Sequence, residues 1–87
     1  MNDRDLLSRT LTECDARLRK NPYSRPLQIV KEEVKYLMDL LEGRTEDKSN
    51  LANIQIGLLA VREFETDDPE FAELIFQTSD LVGRLKG

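Results

Sequence analysis

Residues 25–42, RPLQIVKEEVKYLMDLLE, place Leu27, Val30, Val34, Leu37 and Leu41 at spacings of three, four, three and four. That alternation follows the 3.6-residue turn of an α-helix, so the five side chains share one face. A further row, Ile29, Tyr36 and Leu40, runs beside the first. Two adjoining apolar rows require two neighbours, which sets this helix centrally in a bundle and leaves Tyr36 as a candidate for contact with a partner. Ser24 is placed to cap the helix, Pro26 is tolerated in its first turn, and Gly43 reads as the left-handed residue that closes it.

Outward from this segment the same periodicity recurs. Over residues 3–20, Leu7, Leu11, Cys14 and Leu18 fall on one face, and Asn21-Pro22 ends the helix because proline disfavours helical geometry in the residue before it. Over residues 48–64, Leu51, Ile54, Leu58 and Val61 form a stripe, with Ile56, Leu59, Ala60 and Phe64 widening the apolar girth. Such a helix is either the most buried of the set or a contact helix. Asp47 is a plausible cap for it. Gly57 inside it costs about 1 kcal/mol against alanine, which a close approach by another helix would offset. A fourth pattern over residues 68–86 uses Phe71, Leu74, Ile75, Thr78, Leu81 or Val82, and Leu85. With short connections, the expected architecture is all-α: a small antiparallel four-helix bundle, with residues 1–87 forming a single domain.

Composition narrows the function. A chain of 87 residues buries only about 60% of its unfolded surface, so one modest core holds the stability reserve. Hydrophobic residues at 39% against charged residues at 34% leave little surplus for a buried catalytic cavity. The single Cys14 closes no intramolecular disulfide, and without histidine it supplies neither a zinc set nor a cysteine–histidine pair. The amino terminus, MNDRDLLSRT, lacks the apolar run of a secretory signal, and no stretch has the length of a membrane span, so the expected location is the cytoplasm. Net charge is −4 and unevenly placed: residues 1–44 hold nine Lys/Arg against eight Asp/Glu, residues 45–87 four against nine. That second half repels nucleic acid and anionic membrane and favours a basic partner.

The acids concentrate in VREFETDDPE, residues 61–70, where Glu63, Glu65, Asp67, Asp68 and Glu70 surround Phe64 and Pro69 at the corner between the third and fourth helices. Either Asp67 caps the fourth helix with Glu70 completing a capping box, or Asp68 caps it with Pro69 as the first helical residue. Glu63 and Glu65 stand where the helix dipole favours cations, so capping does not account for them. A calcium loop through residues 63, 65 and 67 fails, because its glycine position holds Asp68 and its bidentate acid position holds Leu74. A glycosidase-like acid pair would need a walled cleft to shift one carboxyl, and this turn is a solvated place. No glycine-rich phosphate cradle, Ser-His-Asp set or metal-ligand cluster is present in the sequence. The expectation is therefore a non-enzyme without metal or cofactor. Its candidate binding residues are the carboxylates Glu63, Glu65, Asp67 and Asp68, which pair with Arg or Lys of a protein partner, and Tyr36 from the second apolar row of the 25–42 helix.

The stretch IGLLAVREFETDDPEF (56–71), preceded by IVKEEVKYLMDLLEGRTEDKSNL (29–51), resembles the small all-helical immunity proteins of bacterial type VI secretion that protect against a toxin hydrolysing NAD and NADP. The matching elements are Ile56-Gly57, Ala60-Val61-Arg62-Glu63-Phe64 and Asp68-Pro69-Glu70, within a likeness spanning roughly residues 28–75. Ile56 and Arg62 stand where the pattern has leucine and lysine. The resemblance implies a protein that binds its cognate toxin domain in the cytoplasm and blocks the dinucleotide from the active cleft. Two rival readings remain open: immunity to a toxin with another nucleotide-modifying reaction, and a helical adaptor or self-associating structural module that forms a homo-oligomer through the wide apolar faces of the second and third helices. A homodimer is compatible with the immunity reading as well.

Overall fold

The computed structural model describes residues 2–86. Its elements in chain order are α1 (Asp3–Lys20), α2 (Arg25–Leu41), a 3-10 turn (Ser49–Asn53), α3 (Ile56–Leu59) running directly into a π-helical turn (Ala60–Phe64), and α4 (Pro69–Lys86). No strand occurs among the described residues. α1 packs against α2 and α4, and α3 completes the ring by packing against the same two. Ion pairs Arg4–Glu42 and Arg84–Asp3 join the start of α1 to the ends of α2 and α4, so the neighbours of α1 both run antiparallel to it. The expected four-helix bundle is present, with a short third member.

Local chemistry sets the boundaries. Asn2 caps α1 by accepting the Asp5 N–H at 2.8 Å, and Ser24 caps α2 by accepting from Leu27. After α2 the chain turns at Gly43, whose φ of +76° is the left-handed conformation that a side chain would strain. Leu7 and Cys14 from α1, Val30, Val34 and Leu37 from α2, Ile56 and Ala60 from the third segment, and Phe71 and Ile75 from α4 are fully buried in one core. The second row of α2 is only half-buried: Ile29, Tyr36 and Leu40 flank that core without entering it.

The third helix departs from expectation at its start. Residues 48–55 do not join it: Ser49, Asn50 and Asn53 have side chains that compete for backbone hydrogen bonds, and the segment takes a 3-10 turn instead. Asp47 accepts the Ser49 N–H at 2.9 Å and so serves this turn rather than a long helix. The true start comes from α2. Both carboxylate oxygens of Glu33 accept the Gln55 N–H at 3.0 Å, and the carboxylate also takes the Ile56 N–H. Burial nevertheless outweighs these bonds and pushes the Glu33 carboxyl above its ordinary value.

The inward row also differs. Leu51 is buried, but Leu58 and Val61 from the expected stripe are 56% and 54% exposed, and the core receives Ile56, Ala60 and Phe64. A row at spacing four drifts about 40° per step around an α-helix. The wider π turn, closed by the Glu65 N–H on the Ala60 carbonyl at 2.8 Å, takes back that drift and keeps Phe64 inside. Gly57 makes the close approach its presence implied: a Cβ there would lie 2.7 Å from Ser79 Oγ on α4.

Cys14 is sealed. Its thiol donates to the Leu27 carbonyl at 3.2 Å, and burial pushes its pKa up to about 11. Alkylation by iodoacetamide at pH 8 is therefore expected to proceed only through unfolding, its rate rising with urea in step with the loss of helicity. Rapid labelling in the folded protein would contradict this burial.

Candidate functional site

At the corner after the π turn, Asp68 is the cap of α4. Its carbonyl accepts the Ala72 N–H at 3.0 Å, its carboxylate takes the Phe71 N–H, and Pro69 is the first helical residue. The same carboxylate holds Arg17 of α1 in a two-pronged pair, through Nε and through Nη2, the latter at 3.1 Å. Arg17 Nη1 donates at 3.0 Å to both the side chain and the carbonyl of Glu13, and the guanidinium lies 4.5 Å from the centre of the Phe71 ring. Phe71 in turn meets Phe64 edge to face, centroids 5.1 Å apart. The acidic corner is thus bolted to α1 by one arginine and to the core by two aromatic rings.

These bonds fix the electrostatics. The hydrogen bond from Arg17 holds the Asp68 carboxyl below the usual range, and the same bond keeps Arg17 fully protonated. A depressed carboxyl contributes stability above its unfolded pKa of about 3.9, and that contribution is lost as pH falls through the lower folded value. In Asp68→Asn the urea midpoint is accordingly expected to fall less steeply than in the parent protein as pH is lowered from 5 to 2. Parallel curves would show that the pair carries no linkage.

Glu63, Glu65 and Asp67 lie on the surface of this braced corner, exposed and in no ion pair among the described residues. Glu70 is exposed as well. Tyr36 is not part of the cluster. Its hydroxyl donates to the Asp47 carbonyl, and it lines a shallow groove with Glu32, Glu33, Asn53 and Ile54, beside the start of α3. Asp68 and Tyr36 therefore have internal partners, whereas Glu63, Glu65 and Asp67 present free carboxylates.

The larger depression of about 690 Å³ lies between α1 and α4, among Arg9, Glu13, Arg17, Glu70, Glu73 and Gln77. Glu13 and Arg17 neutralise each other within it, and it holds no nucleophile paired with a base. Among the described residues no group of three His, Cys, Asp or Glu side chains is positioned to hold a metal ion. No helix there is long and apolar enough to cross a membrane. Sequence reasoning missed Arg17 and Glu33, which act across 51 and 22 residues of chain and leave no local signal.

The family model described as Tsi6 matches residues 2–84 of the chain. No curated protein matches it. Among solved structures, it is similar to a chain in the structure of Tse6 in complex with Tsi6, with a TM-score of 0.94 and 26% identity over 99% of this chain and 92% of that one. It is also similar to Tsi6 from Pseudomonas aeruginosa, with a TM-score of 0.86 and 28% identity over 95% of each chain.

Proposed function

The chain belongs to the Tsi6 family, and from that premise we propose that it is an immunity protein that binds and inhibits a cognate secreted toxin domain of the Tse6 kind. The observation that carries this reading is the near full-length likeness to a chain from the Tse6–Tsi6 complex. The toxin reaction it best fits is hydrolysis of NAD and NADP, as the resemblance of residues 28–75 implies. Inhibition works by occlusion: the chain acts by binding and turns over no substrate. A cleft that accepts an anionic dinucleotide is lined by Arg, Lys or other donors, and a rigid surface carrying Glu63, Glu65 and Asp67 can occupy such donors in place of phosphate.

Asp68 and Tyr36 belong to the same reading as supports. The first holds the corner on Arg17, and the second holds the loop before α3 through Asp47. The dinucleotide pool that needs protection sets the place of action in the cytoplasm, with neither nucleic acid nor membrane as a partner. Even a small free fraction of toxin would drain that pool, so the dissociation constant should be nanomolar or tighter, about 12 kcal/mol or more. Calorimetric titration of the toxin domain encoded with this chain tests the reading. Saturation at a fixed ratio with that affinity supports it, and absence of heat and of co-migration in gel filtration contradicts it.

A further inference from the structure

Three large hydrophobic residues are more than half exposed among those described: Tyr23, Leu58 and Val61. Tyr23 stands alone at the α1–α2 corner. Leu58 and Val61 are three residues apart on one line of the third helical segment, opposite the buried Ile56, Ala60 and Phe64. Continuing that line by one turn reaches Glu65, while Arg62 and Glu63 are exposed on the flanks of the same segment. A scattered exposed leucine needs no explanation. Here, however, the pair sits on a nine-residue segment held at both ends, by Glu33 at its start and by Phe64 on Phe71 at its close, with Gly57 pressed against α4. The ridge is rigid before any partner arrives, which lowers the ordering cost of binding.

We propose that Leu58 and Val61 are the apolar centre of the toxin-binding surface and that Glu63, Glu65 and Asp67 are its charged rim. The inference rests on the immunity reading. Its occupant is an apolar depression edged by Arg or Lys on the toxin, the complement in shape and sign of an aliphatic ridge with free carboxylates at one end. An apolar centre within a polar rim is the ordinary anatomy of a protein interface. Charge favours this occupant over a second copy of the chain. The net charge of −4 on each copy opposes self-association through this face, whereas a basic toxin surface is attracted to it.

The test compares the wild-type chain with Leu58→Ser/Val61→Thr and with Tyr23→Ser in binding the toxin domain encoded with the chain, measured by surface plasmon resonance and alongside melting curves. The expected result is a loss of affinity of about fiftyfold in the double variant, carried by faster dissociation, with Tyr23→Ser unchanged. Leu58→Gln, which keeps helix propensity, reads the same contact if serine lowers the melting temperature. Binding of both Leu58 variants within threefold of wild type overturns the inference while leaving the immunity reading intact. So does a wild-type dimer that these substitutions dissociate without affecting toxin binding. A wild-type chain that fails to bind the toxin overturns both.

Discussion

Exchange of Glu63 and Glu65 together for lysine is expected to weaken toxin binding about a thousandfold, roughly 4 kcal/mol, because each reversal removes an attraction to a basic cleft edge and substitutes a repulsion. The fold should not register the change. Both side chains are exposed and take part in no ion pair among the described residues. Glu63 lies in the last turn of a helical segment and Glu65 caps its end, where cations suit the dipole better than carboxylates do, so the melting temperature should hold or rise slightly. Association should slow and lose its salt dependence, in contrast to the faster dissociation expected when the Leu58–Val61 ridge is altered. Affinity within threefold of wild type would reduce the acidic corner to a solvated turn.

The second large effect concerns the brace beneath that corner. Phe71 is fully buried, meets Phe64 edge-on and carries Arg17 over its face. Phe71→Ala is expected to cost about 3–5 kcal/mol through lost burial and the cavity left behind. A chain of this length has a total stability of only about 4–13 kcal/mol, so the substitution removes at least about a quarter of it and lowers the urea midpoint accordingly. Urea denaturation followed by circular dichroism measures it. Phe76→Ala, at a half-buried position on the same helix, should cost less than half as much. Equal costs would mean that the Phe64–Phe71–Arg17 stack is not the centre of the packing.

Much of the fold was readable because α1, α2 and α4 carry long runs at three-and-four spacing, and because Asn21-Pro22, Ser24, Gly43 and Gly57 act through local geometry. The third helix was not, since its residues support two overlapping rows. Leu51, Ile54, Leu58 and Val61 fit an ideal helical stripe, while Ile56, Ala60 and Phe64 fit only when the backbone widens into a π turn. Tertiary contacts decided between them. Glu33 fixed the start, Phe71 drew Phe64 inward, and Leu58 and Val61 were left outside. The acidic corner was visible as composition. Its division into internal and free carboxylates was not, because the partner of Asp68 is an arginine 51 residues away. Tyr36 likewise has a partner, the Asp47 carbonyl, that only the folded loop supplies.

By the proposed function, the chain neutralises an NAD(P)-hydrolysing toxin by occupying its cleft. The most direct measurement is NAD hydrolysis by the toxin domain encoded with the chain, titrated with the purified protein at toxin concentrations far above the dissociation constant. Occlusion predicts activity falling linearly to zero at a sharp stoichiometric end point. A toxin that continues to hydrolyse NAD at full rate when the chain is in molar excess would contradict occlusion.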